Sequence, residues 1–217
     1  MSSPDRTLPP LAAAEVVWDN AEVLESQVPV ADASATQLLY ISPNGVNAAV
    51  TLDGSRSSDP DGDPLAYLWL STINSQPSTI LASGVQAVVP LPVGMNPIEL
   101  VVNDGLTTAT NGIAVEVITT AEAVRRLITQ AQTEWRRSQP LVATLYAALH
   151  SIERGNSISA LNQLHAFQKK VRAQLGRRDP ALAASFIQMA QEIIEALNAA
   201  NGNPGALRYA RSISLAK

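Results

Sequence analysis

The sequence predicts a multidomain α+β chain, a sandwich of short β-strands followed by a small antiparallel helical bundle. Three observations predict it. Residues 28–118 hold short apolar runs separated by Gly, Pro, Asn and Asp. Residues 119–200 instead repeat their apolar residues at spacings of three and four. The charge reverses at the same place: residues 1–118 set two basic side chains against thirteen acids, net −11, and residues 119–217 set thirteen against six, net +7. A break of that size marks a domain boundary.

The elements follow in order. Residues 1–27 are an N-terminal extension in which Pro9-Pro10 favours an extended entry, with a short helix or strand around Ala13–Leu24. In residues 28–118 the runs QLLYIS, AAVTLD, LAYLWLST, VQAVVPLP, MNPIELVVND and GIAVEVIT are rich in β-branched or aromatic residues and bounded by turn formers. Tyr67 and Trp69 lie two apart and so share one face of a strand, as do Ile98, Leu100 and Val102. About seven short strands in a stretch of this length suggest an immunoglobulin-like β-sandwich with Trp69 as the bulky anchor of its core.

Residues 119–200 read as four amphipathic helices joined by short loops. Thr119 with Glu122 three residues later is a capping-box pattern. Pro140 opens the second helix and Gly155 stops it. Asn156 or Ser157 caps the third, with Gly176 as its stop and Ile158, Leu161, Leu164, Phe167, Val171 and Leu175 as its stripe. Asp179 caps the fourth, with Pro180 in its first turn and Gly202 at its end. Residues 201–217 form a C-terminal tail.

Composition narrows the function. Hydrophobic residues are 46% of the 217, enough for buried cores, but aromatics are only 4%, so Ala, Val, Leu and Ile must do the packing. The absence of cysteine excludes disulfides, thiolate metal sites and a Cys nucleophile. No apolar run reaches the ~20 residues of a membrane span. Met1–Asp5 lacks the basic start of a signal peptide, so an exported form would have lost its signal or been trimmed. There is no GxSxG elbow and no GxxxxGK[ST] or GxGxxG phosphate loop.

The chemistry worth weighing begins with Asp59, Asp61 and Asp63, three acids in five positions, with Gly62 permitting a sharp turn. Turn-capping through accepted backbone N–H bonds is the simplest reading. The second is a calcium site, because a hard cation wants six to eight oxygens and Asp104 could join the set. Asp53 is a further acid that the fold could bring near. Paired-carboxylate catalysis ranks third, since nothing argues for a cleft or a raised carboxyl. His150 and His165 sit on predicted helices without an HExxH-type neighbour and read as surface or core-edge residues. The basic doublets, such as Arg125-Arg126, Lys169-Lys170 and Arg177-Arg178, read first as a solvated face. Contact with the acidic half or another protein is the second reading and a polyanion the third, without the interleaved aromatics that base stacking needs. No nucleic acid partner is expected.

Two stretches resemble known families. VTLDGSRSSDPDGDPLAYLWL (residues 50–70), followed by PIELVVNDGLTT (residues 97–108), strongly resembles the PKD domain over residues 28–118. The resemblance implies an immunoglobulin-like sandwich, a secreted or surface location, and a spacing, adhesion or substrate-contact role; some bacterial members bind calcium. GNSISALNQLHAFQKKV (residues 155–171) and ALAASFIQMAQEIIEAL (residues 181–197) resemble FIMAH, a helical module at the C-terminal ends of bacterial extracellular proteins.

The expectation is therefore a non-catalytic, extracellular or cell-surface bacterial protein acting in adhesion, spacing or assembly. Its partner would be a protein or an extracellular matrix or polysaccharide, and calcium is the cofactor its loop suits. The alternatives are a carbohydrate-binding accessory fragment of an extracellular hydrolase, with Tyr40 as the main stacking candidate, and a polyanion-binding regulator.

Overall fold

The structure, a computed structural model, describes residues 26–71, 79–136 and 138–202. The element expected at Ala13–Leu24 and nearly all of the tail lie outside these residues. The described chain is mixed α+β, with eight strands in two sheets and four helices. In chain order they are β1 (Ser34–Ala35), β2 (Leu39–Ser42), β3 (Asn47–Asp53), β4 (Ala66–Ser71), β5 (Thr79–Ser83), β6 (Gln86–Pro92), β7 (Gly94–Asn103), β8 (Thr108–Thr119), α1 (Thr120–Glu134), α2 (Gln139–Glu153), α3 (Ser157–Gln174) and α4 (Pro180–Ala200).

All six predicted apolar runs become strands, β2, β3, β4, β6, β7 and β8. Two strands went unpredicted. β1 is two residues long, and β5 lies at a sheet edge with Ile80 exposed, so neither carries a buried alternation. A three-stranded sheet runs β1-β3-β6 and a five-stranded sheet runs β2-β8-β7-β4-β5, with β2 parallel to β8 and its other pairs antiparallel.

Strict alternation explains the burial. Asn96, Ile98, Leu100 and Val102 of β7 point inward, and Val50 and Leu52 of β3 and Val89 and Leu91 of β6 meet the same buried cluster. Trp69 sits in that cluster with no exposed surface, and its Nε1 donates to the Gly84 carbonyl at 3.0 Å. That bond satisfies the one polar atom the indole buries. Gly54 shows why a residue without Cβ follows Asp53: a Cβ there would stand 3.0 Å from Leu100 Cδ2 and 3.2 Å from Tyr67 Cδ1. Pro90 and Pro92 face Ala49 and Asn47 on the edge strand β6. They have no N–H to offer, so this edge is blunted against pairing with another chain.

The helices end largely where the caps require. Thr119 accepts from Glu122 N, Asn156 from Ser159 N and Asp179 from Leu182 N. Only half of the predicted capping box forms, because the Glu122 carboxylate is drawn to Arg125 and Arg126. Gly155 and Gly202 take positive φ at helix ends, whereas Gly176 does not and lies two residues past α3. Ile158, expected in the α3 stripe, is exposed at the first turn. A second buried cluster joins all four helices, with Leu127, Leu145, Phe167 and Phe186 fully enclosed.

The two halves meet without a linker. β8 ends at Thr119 and α1 begins at Thr120. Ile118 belongs to the helical cluster and Ile41 packs against it. The Arg126 guanidinium donates twice to Glu116, at 2.9 and 2.6 Å, binding α1 back onto β8.

Candidate functional site

The 59–63 segment leads from the end of β3 to the start of β4, and its shape follows from its acids. Asp59 Oδ1 accepts from the backbone N–H of both Asp61 (2.9 Å) and Asp63 (3.0 Å), folding the segment around itself. Gly62 at φ +82° supplies the left-handed step the turn needs. Asp61 is clamped from outside: Oδ2 accepts from Gln27 N at 2.7 Å and Oδ1 from Gln27 Nε2 at 2.8 Å. Turn-capping therefore occurs as expected. The Gln27 clamp, spanning 34 residues, has no local sequence signal.

One carboxylate oxygen from each of Asp59, Asp61 and Asp63 lies within 4.8 Å of the others. Asp61 and Asp63 are exposed, but Asp59 Oδ2 is shut off from solvent and meets no hydrogen-bond donor among the described residues. An enclosed carboxylate oxygen without a partner is costly, and a cation among the three acids would answer it. The donor set fits a hard cation: three carboxylates give three to six oxygens, and carbonyls or water could complete the shell.

Asp104 is not one of the clustered acids. It caps the β7–β8 turn, with Oδ1 accepting from Leu106 N (2.7 Å) and Thr107 N (2.6 Å) and Oδ2 from Thr107 Oγ1 (2.7 Å). The Thr107 backbone bond leads the causes that hold its carboxyl below the usual range. Asp53 is likewise lowered, first by the Ser55 backbone N–H, and it accepts from Gln86 Nε2. Glu116 is lowered chiefly by its hydrogen bonds from Arg126, whose own pKa is raised by the same pair.

The remaining candidates are dispersed. His150 and His165 are exposed on α2 and α3, and His150 Nδ1 lies 3.6 Å from Glu153. Tyr40 is half-buried and packs against the sheet core with its hydroxyl enclosed. Arg125 and Arg126 are both paired, to Glu153 and Glu122 and to Glu116 and Glu122. A shallow groove of about 420 Å³ lies among Trp135, Gln139, Pro140, Ala173, Gln174 and Arg178, at the α1–α2 turn beside the end of α3.

No family model and no curated protein matches the chain. A solved structure titled a nucleoside hydrolase-related hypothetical protein from Saccharophagus degradans, associated with carbohydrate metabolism, is similar at 26% identity and a TM-score of 0.34. The match covers 42% of this chain and 26% of that one, so this chain spans about a quarter of its length. These findings correct the expected resemblances: nothing places the chain in the PKD or FIMAH families. The short motifs that suggested them have local uses here, in the Asp59 turn, the Asp104 turn, the Gly54 contact and the Asn156 cap.

Proposed function

We propose that this chain is a non-catalytic spacing and assembly protein of the bacterial surface or secreted fraction, in which a sheet unit and a helical unit are held as one rigid body. In this reading the two sheets stack as an immunoglobulin-like sandwich and the helices form a small antiparallel bundle, each a domain with its own core. The observation that carries it is the junction. β8 passes into α1 with no residue between, Ile41 and Ile118 seat the sheet in the helical core, and Glu116 clasps Arg126. A continuous strand and helix of these lengths, ~40 Å and ~22 Å, make a stiff spacer rather than two modules on a tether. The acids support the same reading, because Asp59 and Asp104 spend oxygens on the turns they stand in and Asp61 holds the distant Gln27. Calcium is the cation the Asp59–Asp63 loop would take, stiffening the sheet's far end.

The test uses the absence of native cysteine. Spin labels on Thr110→Cys in β8 and Lys169→Cys in α3, both exposed, should give one narrow distance distribution by pulsed electron resonance. Adding Arg126→Met should broaden it. A broad distribution in the otherwise native chain would defeat the rigid-spacer reading.

A further inference from the structure

Among the described residues, the two ends of the molecule carry opposite excess charge. β8 runs from the β7–β8 turn to the helical junction, so the turn holding Asp104 lies at the sheet end remote from the helices. Asp53 ends β3 at that same end, and the Asp59–Asp63 loop enters β4 there, with Ala66 opposite Asn103. Among the described residues, none of Asp53, Asp59, Asp61, Asp63 and Asp104 has a Lys or Arg within ion-pair distance.

The opposite pole is the helical end remote from the sheets, where α1 and α3 finish and α2 and α4 begin. Lys170 Nζ, bonded to Thr144 Oγ1 and the Pro140 carbonyl, ties the end of α3 to the start of α2 there. Arg136, Lys169, Lys170, Arg172, Arg177 and Arg178 are all exposed at this end, and none is ion-paired among the described residues. Two acids, Asp179 and Glu134, also lie there without a Lys or Arg partner, so among the described residues this end sets six cations against two acids. Near the junction Arg125 and Arg126 are paired, while Arg154, at the end of α2, is exposed and has no ion pair among the described residues.

We propose that the cationic helical end of one copy docks on the aspartate end of a second copy, head to tail. Two different surfaces of one rigid body then meet, and the contact repeats into a chain or closes as a ring. Opposed unpaired charges steer such an encounter and fix its direction, and the association weakens as salt screens them. The second copy is the favoured occupant because the complementary face is part of this molecule. The inference goes beyond the spacing reading and stands without calcium.

The full chain is measured by sedimentation and light scattering in chelator at 20 and 300 mM NaCl. At low salt the mean mass should rise with concentration past that of a dimer, and at high salt it should return to the monomer. Arg177→Glu with Arg178→Glu should weaken association by about 25-fold, taking each exposed pair at about fivefold. Asp61→Lys with Asp63→Lys should do the same. Mixing the two variants should restore association, which no misfolded variant would do. A native chain that stays monomeric at low salt overturns the proposal, as does a mixture that stays dissociated. Binding of poly-glutamate or heparin by a chain that never self-associates also overturns it, assigning the cationic end to a polyanion.

Discussion

Asp59→Asn separates the two roles the Asp59 loop can play. The amide keeps an oxygen to accept from Asp61 N and Asp63 N, but it removes a charge from three carboxylates whose oxygens lie within 4.8 Å. Each charge pair at that distance repels by about 0.9 kcal/mol in water, and by roughly half that at physiological salt. Removing two such repulsions gains about 1 kcal/mol. Replacing a charged acceptor by a neutral one weakens two hydrogen bonds and offsets much of this. In chelator the variant should therefore unfold in urea within about 1 kcal/mol of the native chain. Calcium at a hundredfold excess over its Kd should stabilise the native chain by about 2.7 kcal/mol. The variant should lose most of that gain. Asp59→Ala, which deletes both accepted bonds, should be less stable by about 1–2 kcal/mol in chelator, and its deficit should widen in calcium by the gain that it also loses. If calcium leaves the native chain unchanged, the loop is a turn and nothing more. If it stabilises Asp59→Asn equally, the cation binds elsewhere.

Two further outcomes are expected. Trp69→Ala empties the middle of the sheet cluster and strips the Gly84 carbonyl of its donor, so urea unfolding should report a loss of about 4 kcal/mol; a loss below about 1.5 kcal/mol would mean that Trp69 does not anchor the core. Asp53, Asp104 and Glu116 all titrate lower in the folded chain than in the unfolded one. Their contribution is present above the ordinary carboxylate range and is lost as pH falls through the lowered folded values. Melting temperature should hold from pH 7 to about 5 and fall below about 4, less steeply for Asp104→Asn; a rise on acidification would contradict the sign.

Much of the fold was legible because burial here obeys period. The alternation in PIELVV put Ile98, Leu100 and Val102 on one face, and they are buried. The charge break at residue 118 fell at the β8–α1 junction. What escaped was pairing information. β5 is an edge strand whose partner, not its own pattern, makes it a strand. The Glu122 carboxylate left its capping box for arginines one turn away, because an ion pair competes with the N-terminal N–H it was expected to bond.

The candidate site divides along the same line. That Asp59 would cap its own loop follows from local chemistry, since an aspartate two and four residues before free N–H groups satisfies them. That Asp104 would stand apart, and that Gln27 would close on Asp61, depends on which strands are neighbours. The family resemblances failed for a related reason. DPDGD and VNDG encode tight turns beside strands, and turn chemistry is reused wherever a strand must reverse, so such motifs report a local shape before they report descent. The long-range sorting of charge is different in kind. No single turn or strand requires that, among the described residues, an excess of acids stand at one end and an excess of cations at the other. It is a property of the whole body, and its consequence should be sought in how whole bodies meet.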